Sequence, residues 1–181
     1  LITMGAQNAL WLCAQVLLNQ RRTAAMENPG YPGLRVALNL ARCNVVSVPV
    51  DEAGMQLDAL PAETDVVFTT PSHHCPTNVT MPLERRHALL KRAAQDDFLI
   101  VEDDYEFPMS FLKPPAPALK SLDEEGRVIY IGSFSKSLFP GLRLGYVVGS
   151  ETFIREARAL RAVILRHPPG HLQRTAANFL S

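Results

Sequence analysis

The sequence predicts a three-layer αβα fold: a mainly parallel sheet with one antiparallel strand and helices on both faces. Three observations carry this expectation. Apolar runs of strand length alternate with helical patterns along the whole chain, as repeated strand–helix units require. The run Phe98-Leu99-Ile100-Val101 is apolar throughout, as in a strand covered on both faces. The connection between the last two apolar runs, 128–131 and 144–148, lacks a helical pattern and is short for a parallel crossover, so that pair is expected to be antiparallel.

Residues 1–3 enter a strand or turn, and 8–19 form a helix with Leu10, Cys13, Ala14, Leu17 and Leu18 recurring at helical spacing. Residues 23–26 form a short strand halted by Asn28-Pro29-Gly30. A helix over 34–42, a valine-rich strand over 45–50 and a strand over 65–70, broken by Pro71, follow. Pro82 starts a helix running to about 95, with basic residues crowding its C-terminal half. After the buried strand 98–102, the prolines at 108, 114, 115 and 117 make 107–118 an irregular loop. A helix over 152–165 ends at Pro168-Pro169-Gly170, before a final helical pattern.

The chain has 181 residues, 47% of them hydrophobic, enough for one sizeable core, so residues 1–181 are read as one domain. Eighteen basic residues balance eighteen acidic ones, with no basic stripe. The chain itself therefore offers no electrostatic footprint for nucleic acid or an anionic membrane. No apolar stretch reaches the length of a membrane span and no signal-peptide pattern opens the chain. Cys13, Cys43 and Cys75 are too few and too scattered for a disulfide framework, and Cys13 is expected to pack as a small hydrophobe; the chain reads as cytoplasmic. Leu1-Ile2-Thr3 at one end and an apolar helical pattern from Ala176 at the other suggest a piece of a longer polypeptide.

Chemistry-bearing residues fall at strand ends. Lys136 lies in Gly132-Ser133-Phe134-Ser135-Lys136, just past the run 128–131; Arg143 follows seven residues later, and Glu102-Asp103-Asp104-Tyr105 ends the run before them. In open α/β sheets ligands bind beyond the carboxyl ends of the strands. An amine, a guanidinium and a carboxylate delivered there match what pyridoxal 5'-phosphate needs. A lysine forms the Schiff base, an acid pairs with the ring nitrogen, and Arg with hydroxyls and backbone N–H groups holds the phosphate. Gly5-Ala6-Gln7 opens a helix whose first N–H groups suit phosphate.

Four stretches resemble the fold-type I pyridoxal phosphate enzymes, the aspartate aminotransferase superfamily: Thr3-Met4-Gly5-Ala6-Gln7-Asn8; Glu27-Asn28-Pro29-Gly30-Tyr31-Pro32-Gly33; Glu102-Asp103-Asp104-Tyr105; and Ser133-Phe134-Ser135-Lys136 with Pro140-Gly141-Leu142-Arg143-Leu144-Gly145. The resemblance covers essentially the whole chain and corresponds to that family's large domain. Thr70-Pro71-Ser72-His73-His74-Cys75-Pro76-Thr77 and Pro117-Ala118-Leu119-Lys120-Ser121-Leu122-Asp123 further resemble the MocR/PdxR-type branch of GntR transcription regulators. Those proteins join a winged helix–turn–helix to an aminotransferase-like domain.

The resemblance implies roles residue by residue. Lys136 would carry the cofactor as an imine, and Tyr105 would donate toward the ring oxygen. Asp103 would face the pyridine nitrogen, with Asp104 the adjacent alternative. Gly5, Ala6, Gln7, Ser133 and Arg143 would form the phosphate cup, with Ser135 an additional contact, and Tyr31 would lie against the ring. Many aminotransferases carry Asn before a Pro-Thr-Gly triplet, whereas this chain has Cys75-Pro76-Thr77-Asn78. Its ring-oxygen contact is therefore lost, moved to His74 or supplied by Tyr105 alone. His73-His74-Cys75 does not read as a metal site, because adjacent residues do not converge on one ion. The implied function is an effector-sensing domain of a regulator, a small amino compound being the effector. The implied protein is a homodimer, reaching DNA only through an N-terminal domain outside this chain, and without membrane contact. An amino-acid aminotransferase and a degenerate structural domain are the competing readings.

Overall fold

The computed structural model of the chain describes residues 1–105 and 116–180. Its first half runs β1 (Ile2–Thr3), α1 (Ala6–Leu17), β2 (Thr23–Asn28), α2 (Pro32–Ala41), β3 (Asn44–Asp51), β4 (Gly54–Met55), β5 (Val66–Thr69) and α3 (Leu83–Asp96). The second half runs β6 (Leu99–Asp104), α4 (Leu119–Leu122), β7 (Val128–Ser133), β8 (Gly145–Val148), α5 (Glu151–Leu165) and α6 (Gly170–Leu180). One sheet takes the order β1-β8-β7-β6-β5-β2-β3-β4. The pairs β2–β3, β2–β5, β5–β6 and β6–β7 are parallel.

The expected antiparallel strand is β8, which runs against both β7 and β1. A second antiparallel strand, β4, was not anticipated: it pairs only through Val50–Met55 and Asp51–Gly54. The hairpin turns because the Asp51 carboxylate accepts from Ala53 N–H at 2.8 Å and Gly54 takes φ of 92°. Two residues are too few to leave a period in the sequence. The expected loop 107–118 lies in large part outside the described residues, and Leu119–Leu122 directly after it is a short helix that the prolines concealed.

Side-chain alternation along the strands divides the core in two. Ala24, Met26, Val66, Phe68, Val101, Ile129 and Ile131 face α1, α2 and α5, where Leu10, Cys13, Leu38, Phe153 and Ala157 cover them. Ala25, Val67, Ile100 and Val128 point the other way, onto Leu89 and Ala93 of α3 and Leu119 of α4. Cys13 is fully buried, as expected of a small hydrophobe, and burial pushes its thiol pKa well up. The bases of α3 are not used to cap its C-terminus. Arg92 instead bonds Asp96 and the carbonyls of Leu57 and Leu60, and Asp97 closes the helix in a left-handed conformation.

A third cluster joins Leu142 and Leu144 to Ala176 of α6, so Ala176 is buried. Phe179 and Leu180 remain exposed. Among the described residues no helix is long and apolar enough to cross a membrane.

Candidate cofactor site

β2, β5, β6 and β7 are mutually parallel, so their carboxyl ends share one edge of the sheet. Successive strands lie on opposite sides of β2: β3 on one, then β5 on the other. A crevice opens where strand order reverses in this way. At that edge Ala6, Gln7, Tyr31, Thr70, Cys75, Asp103, Tyr105, Ser133, Ser135, Lys136 and Arg143 line one cavity of about 240 Å³. Of the residues assigned to the cofactor from the sequence, all line it except Gly5, which sits one residue before its wall; the alternatives Asp104 and His74 do not.

Gly5 precedes α1 with φ of 80°, a conformation other residues rarely adopt. A Cβ there would stand 3.0 Å from Arg143 Nη2, so the missing side chain lets the guanidinium come up to the start of α1. Arg143 itself has φ of 49°, and its Nη2 donates to Met4 O at 3.5 Å. The helix N-terminus and the guanidinium thus meet on one wall with Ser133, whose hydroxyl accepts from Ser135 N–H at 3.2 Å. These are donors suited to a phosphate. Gln7 donates from Nε2 to Gly33 O at 3.1 Å, tying the helix start to the Tyr31 turn. At Gly33 a Cβ would collide with Gln7 Oε1 at 2.5 Å and with the Tyr31 ring at 2.6 Å.

On the inner wall, Asp103 is 8% exposed and its Oδ1 has no hydrogen-bond partner. Burial first, then the charges of Asp104 and Glu27, push its pKa up to about 7. A buried carboxylate in this state is costly unless a cationic donor meets it. Asp104, the adjacent alternative, points to the opposite face and accepts from Tyr130 O–H at 3.1 Å. The register between the two acids is therefore decided by strand alternation.

The three options for the ring-oxygen contact also narrow. His74 is buried, with Nδ1 2.7 Å from Thr77 Oγ1 and Nε2 3.4 Å from Glu27 Oε2, so its ring is engaged behind the wall. Cys75 and Tyr105 remain on the cavity side. His73 turns elsewhere, 3.0 Å from Asn78 Oδ1 and edge-on to Tyr105. Thr70 lines the cavity although the sequence reading assigned it no role; the signal available was its place as the last residue before Pro71, at a strand's carboxyl end.

The residues fit pyridoxal phosphate on an observation independent of any relative: Asp103, a buried acid whose Oδ1 has no hydrogen-bond partner, lines the same cavity as an amine and a guanidinium. A mainly parallel α/β sheet with a crevice beyond its carboxyl ends is the arrangement in which α/β domains bind ligands. The family model for aminotransferase class I and II matches residues 1–181, and the chain belongs to that family.

Two regulators are among its relatives. The HTH-type transcriptional regulator TauR of Rhodobacter capsulatus is 64% identical over 181 residues, all of this chain and 37% of that protein. The probable rhizopine catabolism regulatory protein MocR of Rhizobium meliloti is 35% identical over 182 residues, again all of this chain and 37% of that protein. The structure of LysN, an α-aminoadipate aminotransferase of Thermus thermophilus complexed with N-(5'-phosphopyridoxyl)-L-leucine, superimposes with a TM-score of 0.94 at 32% identity. That match covers 99% of this chain and 48% of LysN. The chain thus spans well under half the length of these two regulators.

Proposed function

We propose that the domain binds pyridoxal 5'-phosphate covalently at Lys136 and serves as the effector-sensing part of a GntR/MocR-type transcription regulator, with a small amino compound as effector. The observation that carries the cofactor reading is the convergence of Lys136, Arg143 and the buried Asp103, whose Oδ1 lacks a hydrogen-bond partner, on one cavity. The regulator relatives support the sensing role. When bound, the cofactor supplies an electron sink for chemistry at the carbon next to an amine.

The chain's own residues bind and orient. Ala6, Gln7, Ser133 and Arg143 hold the phosphate, Ser135 adds a donor, Tyr31 covers one ring face, and Gly5 keeps space for the guanidinium. Asp103 accepts the ring N–H, and Tyr105 offers its hydroxyl to the ring oxygen. Lys136 Nζ is the attachment point and the base that moves a proton if the domain turns over. We assign DNA contact to a helix–turn–helix outside these 181 residues, since the chain's charges balance and no basic stripe marks it. The assembly is read as a cytoplasmic homodimer.

An amino-acid aminotransferase is the second reading, favoured by the same Lys136–Asp103 pair and by the likeness to LysN. Borohydride reduction followed by peptide mass mapping is expected to place a phosphopyridoxyl adduct on Lys136, and Lys136→Ala to abolish it. An adduct confined to Lys91 or Lys120 would overturn the assignment. Rapid conversion of the bound cofactor to its amine form by amino acids would favour the enzyme over the sensor.

A further inference from the structure

Behind the cavity wall lies a second set of polar groups that the site does not use. Glu27, at the carboxyl end of β2, is 5% exposed. Its Oε1 accepts from Thr69 Oγ1 at 2.6 Å and Thr70 N–H at 3.2 Å; its Oε2 accepts from Thr70 Oγ1 at 2.7 Å and Thr70 N–H at 3.1 Å. Thr70 lines the cofactor cavity, so this carboxylate holds the end of β5 from behind. His74 closes the set. Its Nε2 stands 3.4 Å from Glu27 Oε2, and its Nδ1 is held by Thr77. The backbone around it is fixed by His74 N–H to Val79 O at 2.9 Å and Asn78 N–H to His74 O at 2.7 Å.

Glu27 and Asp103 also border one small cleft together with Leu10, Met26, Leu34 and Phe68. Two carboxylates across an apolar gap repel, and Glu27 is among the causes that raise the Asp103 pKa. Other groups also bear on Asp103. Asp104 acts from its own strand, and the Cys13 thiol of α1 interacts with it electrostatically. Tyr31, Tyr105, Lys136 and Arg143 line the same cavity. His74 Nε2 stands 3.4 Å from Glu27 Oε2, beside the carboxylate that borders this cleft.

We propose that Glu27 and His74 form a positioning pair behind Asp103: the carboxylate pins the Thr69–Thr70 strand end that walls the cavity, and the imidazole, held by Thr77 with its Nε2 beside Glu27 Oε2, keeps the carboxylate in place, so that the wall next to Asp103 holds its shape for the cofactor. The inference rests on the cofactor reading above. A pair that acts as one unit loses its effect once, whichever member is removed, which two independent supports would not show.

The test is a double-mutant cycle on the full-length protein at pH 8, with His74→Phe, Glu27→Gln and the two combined. Equilibrium dialysis measures affinity for pyridoxal phosphate, and the 15N shift of ring-labelled cofactor reports protonation of its nitrogen. His74→Phe and Glu27→Gln are each expected to weaken binding about tenfold and to lower the protonated fraction as the wall beside Asp103 shifts. The combined variant is expected to be no more than about threefold weaker than the weaker single variant. A double variant in which the two losses multiply overturns the pair while leaving the cofactor reading intact. Absence of cofactor uptake by the unaltered protein overturns both. Circular dichroism accompanies each variant; if His74→Phe does not fold, His74→Gln replaces it, being polar and still able to bond Thr77.

Discussion

Glu102, Asp103 and Asp104 follow one another on a single strand, yet each meets different surroundings. Strand alternation sends the first and third to one face and the second to the other. Glu102 accepts from the backbone N–H groups of Leu119 and Lys120 at 2.8 and 2.9 Å, capping α4, while Asp103 faces the cavity. The pKa of Asp103, about 7 against an ordinary 3.8, means that the folded chain keeps a proton the unfolded chain has already released. The stability this group contributes is therefore present below pH 3.8 and lost as pH rises to about 7. Asp103→Asn cannot ionise. In cofactor-free protein it is expected to melt above the unaltered chain at pH 8, by roughly 1–3 kcal/mol of stability, with the difference closing toward pH 4. The same variant should bind pyridoxal phosphate more weakly. Calorimetry at the two pH values checks the first effect and dialysis the second; a gap that does not change with pH would show that Asp103 is ionised without cost.

At the scale of elements, α3 holds the site's surroundings through one buried side chain. Arg86 is fully buried and donates to Met81 O at 2.9 Å, Pro117 O at 3.0 Å and Pro71 O at 2.8 Å, with Nη1 3.9 Å from Glu102 Oε1. It therefore joins the segment after β5 to the segment before α4. Burial lowers its pKa from the ordinary value, and the charges of Glu102 and Asp104 oppose that shift. Arg86→Met would keep most of the volume but strand three carbonyls and a buried carboxylate. A loss of about 3–5 kcal/mol is expected in urea denaturation, as when one member of a buried pair is removed. A loss below about 1 kcal/mol would show that these segments hold their places without it.

For the whole molecule, the apolar surface left open by the helices sets the behaviour in solution. Val163 and Ile164 of α5 are 85% and 51% exposed, and Phe179 and Leu180 of α6 are 70% and 63% exposed. Exposed apolar groups of this size favour self-association. Residues 1–181 purified alone are expected to show a mass above that of a monomer by light scattering, and Phe179→Glu with Leu180→Glu to lower it. A clean monomer before substitution would show that these side chains do not drive association.

The order of strands and helices, the parallel majority and the antiparallel β8 were legible in the sequence, because period-2 and period-3.6 patterns follow directly from which faces are buried. The site was legible for a related reason: residues that end consecutive parallel strands must share one edge, so Asp103, Ser133, Lys136 and Arg143 could be placed together before any distance was known. The β4 hairpin and α4 were not, since elements of two and four residues carry no period. The sequence preferred Asp103 and left Asp104 as the alternative, and the tertiary structure places Asp103 on the cavity. The tertiary structure alone decided that His74 turns behind the wall and that Glu27 and Thr70 belong to the site's support. Those outcomes depend on which distant side chains arrive beside a residue, 43 positions apart for Glu27 and Thr70, and no local pattern encodes such a meeting.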